Sequence, residues 1–150
     1  MPKIIVNCII DRPVGTVYKA YTDPYNMLKW STDLVKSESI KGEFGEIGGY
    51  AHLHYEQKGR KYILKDELKF IDHNKKIVSE VSGQGLLVEV TTRFESLGDS
   101  TQLTLNWKGL GTILPVKRFL PLAKRKIRNQ IQSELNTFKK LVEELGEKFV

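Results

Sequence analysis

Cysteine is almost missing from this chain: Cys8 is the only one in 150 residues. An internal disulfide is excluded, and one thiol cannot hold a metal cluster, so a reducing compartment is the expectation. Histidine is nearly as scarce, with three residues. Long apolar runs are also lacking. Ile4-Ile5-Val6 is interrupted by Asn7 and ended by Asp11 and Arg12, and no later segment approaches the ~18 apolar residues a membrane helix needs. The chain therefore reads as soluble and cytoplasmic. No Gly-x-Ser-x-Gly elbow and no glycine loop ending in Gly-Lys-Ser/Thr occurs, which removes the motif evidence for serine hydrolysis and nucleotide phosphate binding.

What is present is an ordinary globular composition, 40% hydrophobic and 28% charged, which excludes general disorder. A chain of this length buries roughly 68–70% of its potential surface and needs no metal or disulfide to be stable. No repeat, linker or low-complexity tract divides it, so residues 1–150 are expected to form one domain. The formal charge of +6 is unevenly spread: residues 115–150 hold nine Lys/Arg against four Glu. Lys117, Arg118, Lys124, Arg125, Lys126 and Arg128 form the densest cluster, with Val116, Phe119, Leu120, Pro121 and Leu122 within or beside it. Such a segment suits a solvated helix face, a transient contact with an anionic membrane, or an acidic protein partner. It has little aromatic interleaving and no base-reading motif, so nucleic acid is not an expected partner.

Periodicity predicts the elements. Lys3 to Ile10 reads as a first strand, and Asp11-Arg12-Pro13 offers an Asp cap and a first-turn proline for a short helix to about Thr22. Asp23-Pro24 opens a second short helix through Met27, Leu28 and Trp30. Leu34 to Ile40 is a strand, and Gly42, Gly45, Gly48 and Gly49 mark the connection to the next one. Strands follow at Tyr50–Gln57, Arg60–Ile71, Lys76–Ser82, Leu86–Ser96 and Thr101–Lys108, separated by short turns. Arg60–Ile71 alternates Tyr62, Leu64, Asp66, Leu68 and Phe70 against Lys61, Lys65, Glu67 and Lys69. Consecutive strands with short turns favour an antiparallel meander. Leu120, Ile127, Ile131, Leu135, Phe138, Val142 and Leu145 then make a helical stripe, regular from Leu122 and stopped at Gly146, with Pro121 disturbing its start. The expected class is α+β: a seven-stranded curved antiparallel sheet around a long C-terminal helix, with two short helices after the first strand.

This order resembles the START-like, or SRPBCC, helix-grip superfamily, which includes lipid-transfer domains, plant pathogenesis-related proteins, polyketide cyclases and dehydrases, and coenzyme Q-binding proteins. The local likeness lies in Asp11-Arg12-Pro13-Val14 with Val17-Tyr18, then Asp23-Pro24 and Leu28 with Trp30. Gly42 to Gly49 sits where such proteins join their second and third strands. The resemblance implies a cup between the sheet and the last helix that takes lipids, sterols, polyketides or quinones. The superfamily has no single catalytic signature, so it names no reaction. Phe44 and Ile47 make the glycine segment more apolar than in the plant branch, and no Lys follows it until Lys58, which fits a rim and not a phosphate cradle.

The expected inward set is Tyr55, Tyr62, Asp66, Val88, Val90, Thr92, Phe94, Leu105 and Trp107, faced by Ile127, Ile131, Leu135 and Phe138, with Phe44 and Ile47 as a movable rim. The same residues would serve equally as plain core, because cavity and core share one chemistry. Asp66 stands out: a carboxylate between Leu64 and Leu68 is costly to desolvate unless paired. Either it faces inward, or the register leaves it wet and turns Lys65 or Glu67 inward. His52 and His54 share the opposite face, with no third ligand nearby, so no metal or other cofactor is expected. Cys8 reads as an inert strand residue. Three functions stay open: binding or transport of an apolar or amphipathic small molecule; a cyclase or dehydratase with Asp66 and Tyr62 as acid and base; and a protein-interaction domain, a homodimer included, using the basic helix.

Overall fold

A computed structural model describes residues 2–43 and 45–146. The chain forms β1 (Lys3–Ile10), α1 (Val14–Thr22), α2 (Pro24–Trp30), β2 (Leu34–Lys41), β3 (Tyr50–Gln57), β4 (Arg60–Asp72), β5 (Lys76–Gly83), β6 (Leu86–Ser96) and β7 (Thr101–Gly111). Then come α3 (Leu114–Phe119), a 3-10 turn (Leu120–Ala123) and α4 (Lys124–Leu145). The seven strands make one antiparallel sheet in the order β1-β7-β6-β5-β4-β3-β2. Strands β2 to β7 are a meander, and α1 and α2 carry the chain from one sheet edge to the other.

Short turns set the register. Lys58-Gly59 and Gln84-Gly85 both take positive φ at the two central positions, the backbone of a type I′ hairpin whose twist matches the strands. Register shifts at Leu34/Lys36, Ser39/Lys41 and Leu68/Phe70 bend the β2–β4 side of the sheet. The shift in β4 corrects the simple alternation. Leu68 pairs with Ser79 and Ile71 with Ile77, so Ile71 takes the inward place and Phe70 turns out, exposed.

Other boundaries differ for local reasons. Asp11 does not cap α1: Pro13 is the N-cap residue, no side chain caps the helix, and the Asp11 backbone N–H donates to Glu143 Oε2 at 2.8 Å. Asp23 does cap α2, accepting from the Tyr25 N–H at 2.9 Å with Pro24 in the first turn. β7 runs three residues past Lys108 because Gly109, Leu110 and Gly111 keep pairing with β6. Pro115 lies in the first turn of α3, where a missing N–H costs nothing, and α4 begins at Lys124 after the turn containing Pro121. Gly111 allows this arrangement: a Cβ there would lie 2.4 Å from the Lys117 backbone nitrogen, so α3 rests directly on β7.

The main core joins Ile4, Val6 and Ile10 of β1, Leu103 and Leu105 of β7 and Phe94 of β6 to Val17 and Tyr18 of α1 and to Ile131, Leu135, Phe138 and Val142 of α4. α4 packs chiefly on β1, with smaller contacts to α1 and α2. Its C-terminal half is therefore sealed onto the β1–β7 side, while the concave side of β3–β5 meets it only across side chains.

Candidate functional site

Strand pairing decides which side chains share the concave face. Asp66 lies opposite Ala51 and Val81, Tyr62 opposite Tyr55, Val90 opposite Ser79 and Trp107, and Thr92 opposite Ile77 and Leu105. The register thus turns Asp66 inward and leaves Lys65 and Glu67 on the other face, where they pair at 3.4 Å. His52 and His54 share that outer face, and His54 Nε2 lies 3.4 Å from Glu38 Oε1.

The candidate residues separate into two groups. Val88, Thr92, Phe94, Leu105, Ile131, Leu135 and Phe138 are buried, and most belong to the packed core. Tyr55, Tyr62, Asp66, Val90, Trp107 and Ile127 keep part of their surface accessible. The second group is spread over β3, β4, β6 and β7 and the first turn of α4. Ile47 is 58% exposed beside it, on a segment anchored by the Gly48 N–H donating to the Leu68 carbonyl at 2.8 Å. Phe44 lies outside the described residues.

Asp66, Tyr21 and Tyr55 sit deep within the fold, yet each retains accessible surface. A side chain that is surrounded by protein but still reachable by a water-sized sphere is not part of a close-packed core, and is what the lining of a hollow would show. Burial alone pushes the Asp66 carboxyl up to about 6. Burial pushes the Tyr21 phenol up to about 12, its hydrogen bond with Thr92 Oγ1 at 2.9 Å acts the other way, and the Asp66 charge adds to the rise. Tyr55 is raised by burial and then by Asp66 and Glu134. Both phenols stay protonated at neutral pH and can donate into the hollow.

Tyr62 stands apart from Asp66, four residues along β4, or about 13 Å by strand geometry. Its ring stacks on Tyr55 at 5.1 Å. Its phenol is raised by burial and by Asp33 and Glu134, while Arg60 lowers it. The phenols in the field of Asp66 are therefore those of Tyr21 and Tyr55.

Three neighbours of the site come from segments whose sequence carries only helix signals. Tyr21 of α1 and Trp30 of α2 stack at 5.5 Å, and both meet the ring of Phe138. The Trp30 indole N–H is buried and meets no acceptor among the described residues. Glu134 lies on α4 one turn from Ile131 and Phe138, and its Oε2 accepts the Thr32 N–H at 2.6 Å. Burial raises its carboxyl against the lowering effect of the Thr32 hydrogen bonds. A glutamate within the apolar stripe was its available signal; Tyr21 had only its place on an amphipathic helix, and Trp30 that together with its place in the family-like segment after Asp23-Pro24.

The basic cluster lies at the other end of α4. Lys117, Arg118, Lys124, Arg125, Lys126 and Arg128 are all exposed. Around them Ile113, Leu114, Phe119 and Leu122 are 52%, 71%, 60% and 79% exposed, an apolar group that no described residue covers. No acidic residue occurs from Ser100 to Ser133. Cys8 lies under the far half of α4, where burial pushes its thiol up to about 11 and leaves it a poor nucleophile.

Comparisons with known proteins agree with this architecture. A START superfamily protein from Mycobacterium smegmatis superposes with a TM-score of 0.78 at 16% identity, covering 95% of this chain and 98% of its own. Protein CV1439 from Chromobacterium violaceum gives 0.75 at 18%, covering 95% and 97%. DynU16, from the dynemicin biosynthetic locus, gives 0.71 at 15%, covering 95% of this chain and 48% of its own. At these identities the likeness establishes the START-like helix-grip fold alone. No curated protein matches the sequence significantly. No helix among the described residues is long and apolar enough to cross a membrane. The model of the family described as Activator of Hsp90 ATPase homolog 1-like protein matches residues 11–143, from the turn before α1 to the last turns of α4, and the chain belongs to that family.

Proposed function

We propose that residues 1–150 form one cytoplasmic, noncatalytic binding or carrier domain for an apolar or amphipathic small molecule, of lipid, polyketide, quinone or sterol-like type, held between the concave sheet face and α4. The observation that supports this reading is that Asp66, Tyr21 and Tyr55 lie deep in the fold and still keep accessible surface, as the lining of a hollow would. Val90, Trp107 and Ile127 supply apolar wall, Ile47 the rim, and the phenols directed hydrogen bonds. Native mass spectrometry of gently purified protein, followed by denaturing extraction, tests it. A stoichiometric apolar mass is expected. A clean apo mass that persists after exposure to a lipid and polyketide library would sink the carrier role.

The uncovered apolar residues beside six cations support loading from an anionic membrane. Flotation with phosphatidylglycerol-rich vesicles should carry the protein. Each cation near such a surface contributes about 1 kcal/mol, so Arg125→Gln with Arg128→Gln should weaken binding about 30-fold. Equal flotation of the double variant would refute the contact.

Two rival readings have specific support. The cyclase or dehydratase reading rests on Asp66, whose raised carboxyl suits proton transfer; unchanged turnover in Asp66→Asn would remove it. The protein-interaction reading draws on the family's description as an activator of a chaperone ATPase and on the same basic surface, and a homodimer formed through that surface belongs to it. Chaperone binding that survives a filled cavity but is lost with Arg125 and Arg128 would favour it.

A further inference from the structure

Around Asp66 the concave face carries acid but no base; Arg60, on the same face at the start of β4, is exposed and lies six residues away. Among the described residues, Asp66 and Glu134 are the carboxylates that approach the hollow, alongside phenols and the hydroxyls of Ser37, Ser39 and Ser79 on the same sheet face. Every described Lys and Arg is exposed apart from Arg12, Lys65, Lys76 and Lys139. Those four are engaged elsewhere. Arg12 donates to the carbonyls of Asp11 and Glu143, Lys65 pairs with Glu67, Lys76 lies over the Phe70 ring, and Lys139 pairs with Glu143 at 2.6 Å.

The two carboxylates differ in what they already hold. Glu134 accepts the Thr32 N–H, whereas no described group donates to Asp66 or pairs with it, and desolvation alone governs its carboxyl. A deep carboxylate facing a hollow without a donor or a counter-ion is an incomplete interaction. A ligand ending in carboxylate or phosphate at Asp66 would add a second negative charge there with no cation beside it. A ligand ending in an ammonium group would supply the missing charge and the missing donor together.

We propose that the cavity selects an apolar molecule whose polar end is an amine, seated on Asp66 between the Tyr21 and Tyr55 phenols, with its hydrocarbon body against Val90, Trp107 and Ile127. This rests on the reading of the hollow as a ligand cavity. It goes beyond that reading by stating which end group is accepted and which is refused.

The test compares three probes with one hydrocarbon body: dodecylamine, dodecanol and dodecanoate, each below its aggregation limit. Of the chain's two tryptophans, Trp30 stacks on Tyr21 and Trp107 pairs with Val90, both residues of the proposed site, so their fluorescence should report occupancy. The chain carries a formal charge of +6 that attracts dodecanoate, so a preference for the amine must come from the interior. Dodecylamine should bind on the order of tenfold more tightly than dodecanol, with dodecanoate weakest. In Asp66→Asn the advantage of the amine should vanish while dodecanol binding persists, which also shows that the variant is folded. Dodecanoate binding as tightly as the amine, or an amine advantage that survives in Asp66→Asn, would overturn the head-group assignment and leave the cavity reading standing. Failure of all three probes to bind would overturn the cavity reading and this assignment with it.

Discussion

Replacing Asp66 with asparagine should make the protein more stable at neutral pH, even though a half-buried native side chain is lost. The folded carboxyl has its pKa raised from 3.8 to about 6 by desolvation. Between those values the folded state holds a proton that the unfolded chain releases, so stability falls as pH rises through the window from about 4 to about 6. Above that window the penalty is complete and constant; below it the penalty is absent. Two pKa units correspond to about 3 kcal/mol, and because Asp66 retains accessible surface the expected range is about 1–3 kcal/mol. The asparagine side chain of the variant carries no charge at any pH and escapes the penalty while nearly preserving shape. Urea unfolding of both proteins, followed by tryptophan fluorescence from about pH 4 to about pH 7.5, measures the difference. The two should be nearly equal at the acid end and diverge in favour of Asp66→Asn towards neutrality. Glu134 is raised in the same sense and Glu143 is lowered, but both are present in each protein and cancel in the comparison. Parallel curves across the window, or a less stable variant at neutral pH, would refute the account of Asp66 as a desolvated, unpaired carboxylate.

Tyr21→Phe strips the partner from the buried Thr92 hydroxyl and should cost about 1–3 kcal/mol, read as a lower urea midpoint; a neutral outcome would mean that water replaces the phenol. Gly109→Ala would bring a Cβ within 2.3 Å of the Trp107 ring, so the indole must move, with a loss of about 1–3 kcal/mol and a changed fluorescence maximum; an unchanged spectrum would show that the ring is not held there. Phe138→Ala empties a fully buried site shared by α4, α1 and α2 and should cost about 3–5 kcal/mol in thermal or chemical unfolding; a loss below about 1 kcal/mol would place the core elsewhere.

Period-two alternation and a single helical stripe were enough to read the seven strands, their order along the chain and the apolar face of α4, because each pattern has one burial solution. Asp66 was legible as an anomaly for the same reason: alternation put it in line with Tyr62, Leu64 and Leu68. The same argument failed at Phe70, since one extra residue in β4 reverses the faces beyond it and no nearby residue announces the bulge. Residues 114–123 were legible only as the irregular start of the long helix; Pro115 and Pro121, at the starts of successive turns, divide them into α3 and a separate 3-10 turn.

Composition along the chain determined the elements, the inward faces and the basic end of the molecule. Only tertiary structure decided which facing residues touch. Phe138 and Leu135 close onto the β1–β7 side, whereas Val90, Trp107 and Asp66 keep accessible surface, although both groups obey the same alternating pattern. Packing depends on the distance between elements, and that distance comes from the summed curvature of the sheet, the bulges and the seat of α3 on Gly111. The neighbours of Asp66 were equally out of reach of sequence, because Tyr21 and Tyr55 arrive from separate elements and their proximity to it exists only once the sheet has folded around α4.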